Sequence, residues 1–337
     1  MKKIRIAQIG TNRYSHGPDI FRTLRLLSDQ FEIAGYTWVE DERETCTDRM
    51  SAFDGYPELT LDTILNDPTI EAVTVETDEI HLLKYAQMAA DHGKHIHMEK
   101  PGSQSLADFE KLIETVKAHG TVLHLGYMYR YNPFIADALT RAKNGELGEI
   151  FGVEAHMSRW DKDDVVEWLG SFRGGMMFYL GCHLIDLVLQ LQGMPEKIIP
   201  LNCTTNPDTF ATEDYAMAVF QYRNGVSFIR TCASEVGGGN RRQLVILGKK
   251  GTIEICPLEK GAGKEPLPYP MNFALRAEKS ERFLNAPPVC KTSEIFDRYE
   301  TMIAAFAAMV RGEKENPYTY DYELTLFKTV LACCGAL

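Results

Sequence analysis

Two short stretches hold residues whose types and spacing suit proton and hydride chemistry. In His97-Met98-Glu99-Lys100-Pro101 an apolar, strand-like run meets a Pro-Gly break. A lysine at the end of a buried strand is unusual, because its ammonium is costly to take out of water. At such a place it can hold an oxygen and stabilise the negative charge that develops there. Further on, Tyr179 and His183 stand four apart in an expected helix, with Asp186 three beyond. Residues four apart share a helix face. Oxidising an alcohol requires a base for the hydroxyl proton while hydride leaves the carbon, and histidine titrates in the right range. The Tyr179–His183 face is therefore expected to look across a cleft at Lys100, with His183 as the main base and Tyr179 assisting. A histidine on an apolar helix is also commonly a satisfied core residue, so residue type alone leaves both readings open.

Gly10-Thr11-Asn12-Arg13-Tyr14-Ser15-His16-Gly17 lies between the first expected strand and the first expected helix. A dinucleotide fold places its glycine-rich phosphate turn there. Gly10 fits the first glycine of G-x-G-x-x-G, while Asn12 and Ser15 replace the second and third. Asn tolerates positive φ, and Ser can donate to a phosphate. Glu40 and Asp41 end the second expected strand, where an acid would bind adenosine ribose hydroxyls and repel a 2′-phosphate. That favours NAD over NADP, although Glu40–Glu44 also reads as a solvated charged turn.

The elements that must position these groups fall into two textures. Through about residue 125, strand-like runs (Lys3–Ile9, Phe31–Val39, Ile70–Glu76, His95–Glu99, Val122–Gly126) alternate with helical ones (Pro18–Ser28, Leu61–Asn66, Ile80–His92, Ser105–His119). This is the pattern of a doubly wound parallel sheet. Beyond Asn132-Pro133, strand-like runs at 150–159, 214–222, 226–234, 243–247 and 251–255 dominate, with Asn224-Gly225 a strong hairpin signal. An open, mainly antiparallel sheet follows. It is accompanied by helices at 134–144, 176–192, 296–311 and 322–334, and by a long excursion over 257–294. The expected division is 1–125 for a cofactor domain and 126–337 for a substrate and oligomerisation domain.

Composition narrows the partners. The 337 residues carry a net charge of −11, with 45% hydrophobic and 25% charged residues, which suits a globular protein and disfavours nucleic acid or an anionic membrane. No run approaches the roughly 18–20 apolar residues of a membrane span. The N-terminus lacks a signal-peptide core, and the eight cysteines show no CxxC spacing. A cytoplasmic location with reduced thiols and no metal is expected; His95, His97 and Glu99 alternate on one strand face but are not read as metal ligands.

Several segments together resemble the Gfo/Idh/MocA family of glucose–fructose oxidoreductase and inositol dehydrogenase relatives. Thr77-Asp78-Glu79-Ile80-His81 is similar to its T-P-x-x-H turn, and Gly93 to Pro101 to its G-K-H-x-x-x-E-K-P run. Gly126 to Pro133 resembles its G-x-x-x-R-[FY]-N-P crossover. Gly174-Gly175 with Gly181 to Asp186 looks like its G-G and D-x-G-x-H-x-x-D helix, and Gly248 to Glu254 like its hairpin. The resemblance implies an α/β protein with an N-terminal Rossmann domain and a C-terminal α+β domain with an open, mainly antiparallel sheet. It implies an NAD(P)-dependent oxidoreductase acting on a sugar, cyclitol or related polyol. It maps the cofactor turn to Gly10, Thr11, Asn12 and Ser15, the nicotinamide side to Thr77, His81 and Glu99, the catalytic lysine to Lys100 and the acid/base histidine to His183. Arg130, Arg159, Trp160 and Arg173 are candidate substrate contacts. Three departures stand out: the degraded glycine turn, Tyr179 where the family carries Asp, and Glu76 where it carries a small or apolar residue. A homodimer or homotetramer through the second sheet is expected. Two alternatives remain: an NAD-retaining, glycoside-cleaving enzyme, and a non-catalytic binding or regulatory protein.

Overall fold

The computed structural model describes residues 2–259, 270–275, 289–292 and 297–336. The chain divides into two compact units, Met1–Met128 with Asp297–Phe327, and Tyr129–Phe296 with Lys328–Leu337.

The first unit is a parallel sheet with strands β1 (Ile4–Ile9), β2 (Phe31–Thr37), β3 (Ala72–Val75), β4 (His95–Met98) and β5 (Leu123–Leu125), in the order β2-β1-β3-β4-β5. Helices α1 (Gly17–Leu26), α2 (Glu42–Thr45), α3 (Leu61–Asn66), α4 (Leu82–Asp91) and α5 (Leu106–His119) connect them. The sequence stops these helices locally. Thr60 and Ser105 cap α3 and α5 by accepting the amides of Thr63 and Asp108, and Gly120 ends α5 at a φ of 65°. Sheets of this kind normally carry apolar runs, being buried on both faces. Here one row across the sheet is polar: Gln8, Thr74, His97 and His124 are register partners on successive strands, and all are buried.

The second unit contains α6 (Pro133–Lys143), β6 (Ile150–Ser158), α7 (Asp163–Leu169), α8 (Cys182–Gln192), β7 (Lys197–Cys203), β8 (Tyr215–Tyr222), β9 (Gly225–Cys232), β10 (Gln243–Gly248), β11 (Gly251–Ile255), β12 (Pro270–Leu275) and β13 (Val289–Thr292). Their order is β13-β12-β11-β10-β6-β9-β8-β7, antiparallel throughout except for the parallel pair β6–β9. Arg223-Asn224 joins β8 to β9, with the expected Gly225 as the first residue of β9, and Lys249-Lys250 joins β10 to β11. The apolar helix α8 is buried against β6 and β9. Edge strand β7 bears Lys197 and Pro200, features that discourage edge-to-edge pairing.

Four expectations change. The helix begun at Met176 opens instead with a π-helical turn, Met177–Gly181, before α8. Two left-handed glycines, Gly174 and Gly175, precede it, and Met176 donates to Glu213 O, so the segment enters the helix from an irregular start. Two strands, β12 and β13, extend the sheet within the expected 257–294 excursion, whose other residues lie outside those described. Strand β7 and helix α7 were unforeseen. Residues Asp297–Phe327, including α9 (Glu300–Val310), belong to the first unit, where Phe306 of α9 stacks on His124. The last helix, α10, covers Tyr320–Cys333. Among the described residues no helix is long and apolar enough to cross a membrane.

Candidate active site

The carboxyl ends of β1, β2, β3 and β4 gather most of the candidate residues of the first unit. Gly10 has a φ of 79°, and a Cβ there would fall 2.8 Å from Thr77 Cβ and 3.0 Å from Glu42 Oε1. Only glycine fits this turn without strain. Asn12 is tied to the β3 end twice, its amide donating to Glu76 O (2.8 Å) and its Nδ2 to Glu79 Oε2 (2.7 Å). Its Oδ1 accepts from the amide of Tyr14. The Ser15 hydroxyl reaches Glu76 O at 3.4 Å. Asn12 and Ser15, the residues in place of glycines, therefore lock the turn onto β3.

Two acids follow β2. Glu40, at a φ of 50°, accepts from Lys84 Nζ (2.6 Å) and the Tyr85 hydroxyl (2.7 Å), with His81 Nδ1 at 3.8 Å. Those donors, Lys84 first, hold its carboxyl below the usual range. Its side chain is 29% exposed, open to a ligand's hydroxyls. Glu42 is buried and accepts from the Val39 amide (2.9 Å) and the Thr77 hydroxyl (2.6 Å). Burial pushes it up to about 7. In the sequence Glu42 sits in a charged run that looks solvated; only its tertiary partners distinguish it.

Beyond β3 and β4 stand Glu76, Thr77, Glu79, Glu99 and Lys100, all buried. Lys100 Nζ pairs with Glu99 Oε1 at 3.3 Å. Among the described residues, neither oxygen of Glu76 has a hydrogen-bond partner, nor does Oε1 of Glu79 or the Thr11 hydroxyl. Burial, opposed by Lys100, raises Glu79 to about 8. Burial first, and Glu99 next, raise Glu76 well above the carboxylate range. Burial lowers His97 to about 3.

In the second unit the expected residues separate. Arg130 grips Asp186 through two hydrogen bonds, Nε to Oδ2 (3.0 Å) and Nη2 to Oδ1 (2.9 Å), both side chains being buried. Gln190 also donates to Asp186. Arg130, expected at substrate, is thus engaged as a clamp between the start of this unit and α8, and Asp186 is not on a reactive face. Tyr179 lies in the π-helical turn, its ring against Trp168 and Phe172, with the Arg159 guanidinium 5.0 Å above it and hydrogen-bonded to it. The His183 ring stands edge-on to Tyr129 at 5.3 Å. Tyr179 thus lies in the π turn and His183 in the first turn of α8. Arg159 also donates to Asp161 (2.6 Å), and Arg173 donates to Gly335 O near the chain end. Trp160 is 59% exposed.

A nicotinamide dinucleotide is compatible with the first unit. Gly10 holds the turn in a left-handed conformation against Thr77 and Glu42, Glu40 presents an acceptor at the ribose position, and the oxygens of Glu76, Glu79 and Thr11 that lack partners among the described residues suit hydroxyl or carboxamide donors. Burial favours the neutral forms of Glu42 and Glu79, which lessens their repulsion of a pyrophosphate.

Comparison with known proteins agrees with the geometry. Residues 4–127 match the model of the GFO/IDH/MocA "Oxidoreductase family, NAD-binding Rossmann fold", and residues 135–254 match the GFO/IDH/MocA C-terminal domain. The chain is 28% identical over 198 residues to an uncharacterized oxidoreductase, YhhX, of Escherichia coli K12, covering 57% of this chain and 55% of that protein. It is 37% identical over 199 residues to scyllo-inositol 2-dehydrogenase (NAD(+)) of Bacillus subtilis 168, covering 58% of each. The match thus spans little more than half the length of these relatives. Among solved structures, levoglucosan dehydrogenase in complex with NADH and levoglucosan aligns at a TM-score of 0.80 and 18% identity, over 99% of this chain and 97% of that one. The aldose-aldose oxidoreductase of Caulobacter crescentus aligns at 0.80 and 20% identity, with the same coverage. These structural likenesses establish the fold. With matching models for both of its parts, in the same order, this chain belongs to the Gfo/Idh/MocA family of oxidoreductases.

Proposed function

We propose that the chain is an NAD-dependent oxidoreductase that moves hydride between nicotinamide and a hydroxyl-bearing carbon of a sugar, cyclitol or related polyol. The observation that carries this reading is the buried Glu99–Lys100 pair at the carboxyl end of β4, where open α/β sheets bind ligands. When bound, the nicotinamide supplies the hydride acceptor or donor. Lys100 presents three N–H donors in a site with little water, suited to holding the reacting oxygen and its developing charge. His183 is assigned the substrate proton. Tyr179, braced by Arg159, is assigned a hydrogen bond to the same oxygen. Thr77, His81 and Glu99 are assigned to the nicotinamide side, Gly10, Thr11, Asn12 and Ser15 to the pyrophosphate, and Glu40 to the adenosine ribose. Glu40 favours NAD over NADP, because it would repel a 2′-phosphate. Similarity to an inositol dehydrogenase and a levoglucosan dehydrogenase supports a polyhydroxylated substrate. Trp160, Arg159 and Arg173 are the substrate contacts we assign to the second unit. A cytoplasmic homodimer or homotetramer through the eight-stranded sheet completes the proposal.

The test is a panel of sugars and inositols scored by NADH absorbance with the wild type and with Lys100→Ala and His183→Ala. Turnover on at least one polyol, greatly reduced in both variants, is expected. Titration with NAD followed by thermal unfolding gives a separate readout, since ligand at ~100 times its dissociation constant adds about 2.7 kcal/mol. No shift with NAD or NADP would sink the redox reading and leave a binding role.

A further inference from the structure

Glu40 stands where a turn favours glycine. The amide of Glu42 donates to Val39 O (3.2 Å), so Val39 to Glu42 closes a turn with Glu40 at its second position. With a φ of 50°, Glu40 is the lone non-glycine residue of positive φ among the described residues. Positive φ at such a position is ordinarily left to glycine or asparagine. Another residue stays there only where its surroundings fix it, and residues fixed in this way cluster at ligand sites. Here α4 does the fixing, 44 and 45 residues further along the chain. Lys84 Nζ donates to Glu40 Oε1 at 2.6 Å, and the Tyr85 hydroxyl donates to the same oxygen at 2.7 Å. Lys84 Nζ also lies 4.9 Å over the Tyr85 ring. The far end of the turn is anchored by buried Glu42, through the Val39 amide and the Thr77 hydroxyl.

Both donors engage Oε1. Among the described residues Oε2 has no donor, and the side chain is 29% exposed. A glutamate held in this way presents one acceptor in a set direction, which a solvated acid in a charged turn does not. The two donors carry a second implication. An ammonium beside a phenol hydroxyl is a pair of groups suited to a phosphate monoester, and Glu40 occupies both. Lys84 also lines a cavity of about 380 Å³ with Ile80, Leu83 and Lys111, so a group drawn to the ammonium has space beside it.

Resting on the cofactor reading above, we propose that Lys84 and Tyr85 are positioning residues that set the choice between the two nicotinamide dinucleotides. With Glu40 in place, they aim its second oxygen at the adenosine ribose hydroxyls, and its charge keeps a 2′-phosphate away from them. Without Glu40, the same two donors take the 2′-phosphate, and the preference passes from NAD to NADP. Glu40 is in this sense a stopper on a phosphate site that α4 already carries.

Titration of the full protein with NADH and with NADPH, followed by nicotinamide fluorescence, tests this without turnover. The wild type should bind NADH more tightly than NADPH by about tenfold or more. Glu40→Gly suits the positive φ and removes the whole side chain. It should weaken NADH by roughly tenfold and tighten NADPH, so that the order reverses. Adding Lys84→Met to Glu40→Gly should cancel the NADPH gain and leave NADH where Glu40→Gly put it. A merely structural role for Lys84 would move both dinucleotides together. In the wild-type background, Tyr85→Phe should weaken NADH about threefold, because Glu40 loses one of its two fastenings. Equal changes for NADH and NADPH in Glu40→Gly, or an NADPH gain that survives Lys84→Met, overturn the proposal. A wild type that binds neither dinucleotide takes the cofactor reading down with it. A wild type that discriminates as expected but oxidises no polyol leaves this proposal standing and removes the redox reading alone. Should Glu40→Gly fail to fold, Glu40→Asn, which also tolerates positive φ, carries the same comparison.

Discussion

Two buried carboxylates in this chain are treated in opposite ways. Asp186 accepts two hydrogen bonds from Arg130 and a third from Gln190. Glu76 has a cation in its surroundings but, among the described residues, no hydrogen bond to either oxygen. A fully compensated charge holds a fold in place and has little left to offer a ligand. An uncompensated acid lowers stability, so its presence at the ligand end of a parallel sheet points to chemistry. The same comparison separates Arg130, a clamp on Asp186, from Lys100, paired with Glu99 at the carboxyl end of β4.

Breaking the clamp should have the largest effect. Arg130→Ala leaves Asp186 buried without its cation, at an expected cost of about 3–5 kcal/mol by urea unfolding. Replacing both partners by apolar residues should recover most of that loss. If the single variant costs less than about 1 kcal/mol, the two acids are not as different as their hydrogen bonds indicate. Lys100→Ala should show mainly in turnover, with kcat falling about 10²–10³-fold; because it also takes the cation from buried Glu99, some stability is lost with it.

Glu42 offers a comparison of intermediate size. Its folded-state carboxyl titrates at about 7, above the ordinary value of 4.5. Between those values the folded protein holds a proton that the unfolded chain has released, so stability falls as pH rises through that window. A loss on the order of 2–3 kcal/mol between about pH 4.5 and 7 is expected from this group. Glu42→Gln should flatten that slope, measured by chemical unfolding at several pH values. Glu40 is the control: its carboxyl is lowered by Lys84 and Tyr85, so its contribution has the opposite sign, and it is lost as pH falls.

The same contrast marks what could be read from the chain. Alternating periods and helix caps gave β1 to β5 and helices α1, α3, α4 and α5 to within a residue or two, because hydrophobic spacing is local; α2, within a charged run, was not among them. Asn224-Gly225 and Lys249-Lys250 likewise announced their hairpins. Glu42, Asp186 and the polar row Gln8–Thr74–His97–His124 were not legible, because a buried acid and a solvated one look alike until their partners are known. Nor was the π turn at Met177–Gly181, since it depends on two left-handed glycines and on contact with Glu213, distant in sequence. Strand β7 was hidden by Pro200, which its edge position tolerates.

Tyr179 carries the smallest prediction and the finest discrimination. Where family relatives place an acid beside the histidine, this chain places a phenol that rests on Trp168 and Phe172 and is held by Arg159. A neutral hydrogen bond of this kind is worth about 0.5–1.5 kcal/mol, or roughly 2- to 12-fold in rate. Tyr179→Phe keeps the ring contacts and removes only the hydroxyl. Its kcat should fall by that modest factor at unchanged stability, and the pH–rate profile set by His183 should keep its shape. An unchanged rate removes Tyr179 from the mechanism and makes it a wall of Arg159. A fall approaching that of His183→Ala would mean that the phenol, and not the imidazole, carries the substrate proton.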